Sequence, residues 1–208
     1  MEDRRQEILD AAVDLADEMG LEAVSMRAVA QRTGVTPMAL YSHVGSKAEL
    51  LDGMVGRLLA QLRLPESAGA AMPGGPGPAP DAPGPDWRER LRTLGHSART
   101  LVHRHPWASA LLFSRPAVAP DAVRVVDQIN AMLRDAGVPS PEVPRLERLV
   151  GTVILGFAAS EAGGRFGAAE PGCPVDWDAE FEADLDDVLR LVEMTASGKA
   201  TTSMPGSR

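Results

Sequence analysis

Cysteine is nearly absent: Cys173 is the single one in 208 residues. No intramolecular disulfide is available, which fits a reducing, cytoplasmic setting. Cys173 lies in a Gly/Pro-rich stretch and reads as a bystander thiol. Aromatics make up only 4% of the chain, so Leu, Val, Ala and Met must build the core. No apolar run approaches the roughly 18 residues that suggest a membrane span; the longest lies around 149–159. The chain opens with MEDRRQEILD, charged where a signal peptide would be apolar, so no signal peptide is expected. There is no G-x-S-x-G, phosphate-binding glycine loop, H-E-x-x-H or C-x-x-C. His103-Arg104-His105 is a poor metal pair, because helical residues two apart face different ways. Neither an enzyme, a metal site nor a cofactor is expected. Strand-like alternation with hairpin turns is also missing, which leaves an all-α chain.

One further absence is local. The chain is acidic, with a net charge of −8, yet residues 24–47 contain no Asp or Glu. Arg27, Arg32, His43 and Lys47 lie in this window. Its flanks hold Asp10, Asp14, Asp17, Glu18 and Glu22 on one side, Glu49 and Asp52 on the other. A surface cleared of carboxylates suits DNA, since each phosphate met by Lys or Arg releases counterions.

The same window is punctuated like two short helices joined by a tight turn. Ser25 is a good N-cap for a helix over Met26–Thr33, and Gly34 ends it in a left-handed cap. Thr36 caps the next helix, Pro37–Val44, with proline at the first helical position, where its missing N–H is no loss. Gly45 closes that helix, and Ser46-Lys47-Ala48-Glu49 forms a capping box for another over 47–64. This is the helix-turn-helix pattern, whose second helix enters the major groove. The first turn of that second helix is Thr36-Pro37-Met38-Ala39, unusually apolar for a base reader and best suited to thymine methyls. Arg27 is then the candidate for bidentate contact with a guanine, or for a phosphate contact. Leu40 and Val44 belong to the core.

Residues 8–54 resemble the TetR family of bacterial transcriptional regulators, through ILDAAVDLADEMG, SMRAVAQRTGV, LYSHV and SKAELLDGM. The LY-x-HV run followed by K-x-x-LL is similar to the branch containing the tetracycline repressor. A weaker resemblance covers 87–162, including the turn Ser114-Arg115-Pro116. The resemblance implies base contacts from Thr36, Pro37, Met38 and Ala39, and phosphate contacts from Ser25, Tyr41, His43 and Lys47. It also implies a homodimeric repressor on a palindromic double-stranded operator, released when a small-molecule effector enters a helical bundle. Candidate liners of that pocket are Trp107, Leu111, Phe113, Met132 and Phe157; candidate polar groups are His96, Arg99, His103 and Arg115. In tetracycline-binding members a metal-coordinating histidine occupies the position of Leu111, so a magnesium–tetracycline effector is not expected. The competing reading is a ligand-binding or protein-interaction module whose head has lost DNA binding.

The remaining chain divides by composition. The expected division is a DNA-binding head at 1–48, a regulatory and dimerisation domain at 49–197, and a disordered tail at 198–208. Helices are expected at 4–19, 87–105, after Pro106 to near Phe113, and at 120–136, 141–162 and Trp177–Ala196. On 87–105, Trp87, Leu91, Leu94, Ala98 and Leu101 form the core face, with His96, Arg99 and His103 opposite. Residues 65–85 hold 7 Pro, 5 Gly and 5 Ala. Such a segment buries too little apolar surface to offset its ordering entropy and reads as a flexible surface loop, either inert or a lid. The helix at 141–162 is apolar on too many sides for a surface helix. With the last helix it is the expected two-fold dimer interface.

Overall fold

The computed structural model describes residues 2–63, 86–165 and 175–198. The readings of loop 65–85, of Cys173 and of the tail beyond residue 198 lie outside these. The described residues form nine α-helices and no strand: α1 Glu2–Met19, α2 Met26–Thr33, α3 Pro37–Val44, α4 Lys47–Ala60, α5 Trp87–Arg104, α6 Ala108–Ser114, α7 Pro120–Asp135, α8 Val143–Ala162 and α9 Trp177–Ala196. A single 3₁₀ turn, Leu21–Ala23, follows Gly20, whose φ of 83° needs a residue without Cβ. That turn is too short for any periodicity to reveal.

Several helix ends differ from expectation by one to four residues, two of them for a visible reason. α4 stops at Ala60 rather than near residue 64, because the Gln61 and Leu62 amides fold back onto the Leu58 and Leu59 carbonyls. Those i→i−3 bonds tighten the last turn and close the helix. α8 starts at Val143 rather than Pro141, since the Glu142 amide bonds the Pro139 carbonyl in a separate turn.

The chain forms two compact units, 1–62 with 100–126, and 63–99 with 127–208. The divisions fall after Leu62, inside α5 and inside α7. In the first unit, α1 buries Ile8, Leu9, Ala12 and Ala16 at helical spacing. They pack with Val29 of α2, Leu40 and Val44 of α3, and Leu50, Met54 and Leu58 of α4, all buried. Gly53 lets α4 cross close to α1: a Cβ there would stand 2.6 Å from Leu9 Cδ2. Leu101, Val102, Ala108 and Leu111 complete this core.

The second unit buries Trp87, Leu91, Leu94 and Ala98 of α5 against Met132, Leu133, Leu146, Val150, Ile154, Phe157, Phe181, Leu185 and Val188. Ion pairs join α5 to α9. Arg88 meets Glu193 at 2.7 Å, and Arg92 meets both Glu182 and Asp186. The acidic face of α9 is therefore paired with α5 along much of its length.

Candidate nucleic-acid interface and regulatory contacts

The helix-turn-helix is built from short-range capping. The Ala28 amide donates to Ser25 Oγ at 3.2 Å, and the Ala39 amide to Thr36 Oγ1 at 3.2 Å. Gly34 takes φ 68°, and the Val35 amide reaches back to the Ala30 carbonyl at 3.0 Å. Arg4 of α1 donates to the Thr33 carbonyl at 3.0 Å, capping α2 a second time. Before α4, the Glu49 amide donates to Ser46 Oγ, while the Ser46 hydroxyl donates to the Glu49 carboxylate. The capping box is thus half of its ideal form, with Glu49 holding the hydroxyl rather than the Ser46 amide.

These caps fix which side chains point outward. Arg27, Thr36, Pro37, Tyr41 and Lys47 are exposed, Met38 is 81% exposed, and Ser25, Ala39 and His43 are half-buried. Leu40 and Val44 are buried, as their assignment to the core requires. No carboxylate among the described residues pairs with Arg27 or Lys47. Arg32 behaves differently. Its guanidinium grips Glu18 of α1 with two bonds of 2.7 and 2.5 Å, and holds that carboxyl below the usual carboxylate range. The cation in the acid-free window is neutralised by an acid outside it.

The nine candidate pocket residues are divided between the two compact units. His103, Trp107, Leu111, Phe113 and Arg115 belong to the first unit; His96, Arg99, Met132 and Phe157 belong to the second. Phe113 is 52% exposed and His103 is exposed, whereas Leu111 is buried in the core. Trp107 donates its indole N–H to Asp17 Oδ1 at 2.6 Å.

Arg115 is held by a neighbouring helix. Its Nε and Nη2 lie 2.8 and 2.7 Å from Asp52 Oδ1, and Nη2 also donates to the Ala48 carbonyl at 2.9 Å. The Ser-Arg-Pro turn is thereby fastened to the first turn of α4, next to Lys47. A second fastening was not read from the sequence at all. His105 is buried, with Nδ1 2.7 Å from Asp17 Oδ1 and Nε2 3.4 Å from Gln61 Oε1. It joins the end of α5 to α1 and to the end of α4. The one available signal was an imidazole on the residue ending a helix just before Pro106.

In the second unit Arg99 is enclosed rather than solvated. It makes bonds of 2.7 and 2.5 Å to Glu161 and 2.7 Å to Asp178. It also lies 4.9 Å over the Phe181 ring. Bonding to Glu161 raises its already high pKa further, so it is a permanent cation with both neighbouring carboxylates engaged. His96 bonds Glu182 at 2.8 Å and meets Phe181 edge-on at 5.5 Å. Helical spacing put Arg99 opposite the α5 core face, but α8 and α9 supply the carboxylates that cover that side. Met132 and Phe157 are buried.

None of the described helices is long and apolar enough to cross a membrane, and no three metal-ligating side chains cluster among the described residues.

Comparison with known proteins gives this geometry a lineage. Residues 8–54 match the family of bacterial regulatory proteins of the tetR type, and residues 79–189 match the tetracyclin repressor-like C-terminal domain. The HTH-type transcriptional repressor DrrR1 of Streptomyces coeruleorubidus is 32% identical over 154 residues, 74% of this chain and 52% of the relative. The match thus spans about half the length of that repressor. Apo ActR from Streptomyces coelicolor shares the fold with a TM-score of 0.75 at 22% identity, over 94% of this chain and 97% of that one. BioQ of Mycobacterium smegmatis does so with a TM-score of 0.71 at 23% identity, over 91% and 98%. With the head and the C-terminal domain each matched, the latter alone over more than half of the chain, the protein belongs to the TetR family of bacterial regulatory proteins.

Proposed function

We propose that the chain is a cytoplasmic, homodimeric transcriptional repressor that binds an inverted-repeat operator through α2 and α3 and releases it on binding a small molecule. The observation that carries this reading is the exposed, carboxylate-free set Arg27, Tyr41 and Lys47 on three successive helices, each with a side-chain N-cap. Ser25, Tyr41, His43 and Lys47 hold phosphates and fix register; Thr36, Pro37, Met38 and Ala39 face base edges; Arg27 reads a guanine or a further phosphate. Relatives support the two partner classes. BioQ is known in a crystal structure with its double-stranded DNA operator, and ActR in complex with actinorhodin.

The dimer forms through the outer faces of α8 and α9. Cβ atoms added at Gly151 and Gly156 of α8 would meet nothing within the protomer, and Met194 of α9 is 51% exposed. Small residues and half-buried Leu149, Val153 and Leu155 make that face of α8 suited to close helix packing. The effector site is read as the region of α5, α7, α8 and α9 around Met132 and Phe157. His96 and Arg99 act there through their carboxylate partners. The fastenings of Arg115 to α4 and of His105 to α1 carry a shift of α6 to the head.

The test is selection. Purified protein incubated with sheared genomic DNA should retain a short inverted repeat, and light scattering should give twice the 22.0 kDa chain mass. Retention of no specific sequence at moderate salt, or a particle of single-chain mass, would refute the reading.

A further inference from the structure

The first turn of α3 presents little hydrogen-bonding capacity to a groove beyond the Thr36 hydroxyl proton. Pro37, Met38 and Ala39 have apolar side chains. The hydroxyls beside them are engaged by backbone: Thr36 Oγ1 accepts from the Ala39 amide, and Ser42 Oγ donates to the Ala39 carbonyl at 2.7 Å. The most exposed large side chain on the helix is Met38, at 81%, against 48% for Tyr41, while Leu40 and Val44 are buried. An unbranched, polarisable side chain of this kind fits irregular apolar surface.

In the major groove, the only apolar group on a base edge is the methyl at C5 of thymine; 5-methylcytosine carries the same group in the same place. Resting on the DNA-binding reading above, we propose that α3 specifies its half-site by 5-methyl groups, with Met38 as the specificity-determining residue. It recognises the methyl and not the hydrogen-bonding edge of the pyrimidine. Thymine and 5-methylcytosine are then interchangeable where Met38 lands, while uracil and cytosine are both discriminated against.

The experiment uses the full chain and the inverted repeat recovered by genomic selection. At each thymine of the half-site the duplex is remade with uracil, with 5-methylcytosine opposite guanine, and with cytosine opposite guanine. The expected result is one or two positions where uracil weakens binding about fourfold per methyl lost, or about fifteenfold when both half-sites are changed. At those positions 5-methylcytosine should bind within about twofold of thymine, and cytosine should bind as poorly as uracil. Met38→Ala should erase the thymine–uracil difference, and Met38→Leu should keep it. Equal binding of thymine and uracil at every position overturns the proposal. So does a position where 5-methylcytosine fails as badly as cytosine, because the O4 edge is then being read. Absence of any retained sequence would defeat the DNA-binding reading itself, an outcome distinct from either of these.

Discussion

Replacing Arg115 with alanine removes three polar contacts at once: two to Asp52 and one to the Ala48 carbonyl. Both charged side chains are about a quarter exposed, at 24% and 22%. A fully shielded hydrogen bond to a charged group contributes about 1.5–3 kcal/mol, and an exposed ion pair about 0–1 kcal/mol. Partial exposure places this set between the limits, so Arg115→Ala should destabilise the chain by about 2 kcal/mol. For a chain of this size that is about 4–8 °C in Tm. The cleaner measurement is a double-mutant cycle of Arg115→Ala with Asp52→Asn, followed by urea unfolding at one fixed protein concentration, because dimerisation would make Tm depend on concentration. A coupling of about 1–2 kcal/mol is expected. Arg115→Lys should recover little, since an ammonium lacks the fork that bridges carboxylate and carbonyl. Operator affinity should fall with an unchanged salt slope, because no phosphate contact is lost. Additive single variants, with coupling below about 0.3 kcal/mol, would show that the turn is not fastened to α4 and would refute the argument.

Lys47→Ala should lower the slope of log affinity against log salt by about one per half-site; an identical slope would remove Lys47 from the phosphate contacts. Glu147 on α8 is half-buried without a hydrogen-bond partner among the described residues, and burial raises its pKa above the ordinary value. The folded chain therefore holds this proton more tightly than the unfolded chain, so its contribution favours folding as pH falls and opposes it above the raised pKa. Glu147→Gln should raise Tm at neutral pH, with the gain fading towards about pH 4; a pH-independent gain would contradict the assignment. Gly53→Ala trades a helix-propensity gain of about 1 kcal/mol for a collision with buried Leu9 that costs about 1–3 kcal/mol, so the urea midpoint should drop. Gly156→Arg should leave each protomer folded by circular dichroism and bring the light-scattering mass to that of one chain, whereas an unchanged mass would move the dimer interface elsewhere.

The sequence by itself determined the helices and which side chains of α2 and α3 point outward. Ser25, Gly34, Thr36 and Pro37 act on backbone groups within a few residues, and recurrence of apolar positions every three or four residues along α1 and α5 marks the buried stripe. Such interactions are local in the chain, so they are legible as spacing. The partners of charged side chains were decided only by tertiary structure. Arg32 meets Glu18 across 14 positions, Arg99 meets Glu161 across 62, and Arg115 meets Asp52 across 63. Periodicity can say that Arg99 leaves the apolar stripe of α5, but not that α8 and α9 cover the side it leaves towards. The same limit hid His105, whose two ring nitrogens find α1 and the end of α4. Helix geometry is set by hydrogen bonds four residues apart, whereas the identity of the neighbour facing a helix is set by how separate helices pack, which no local pattern encodes.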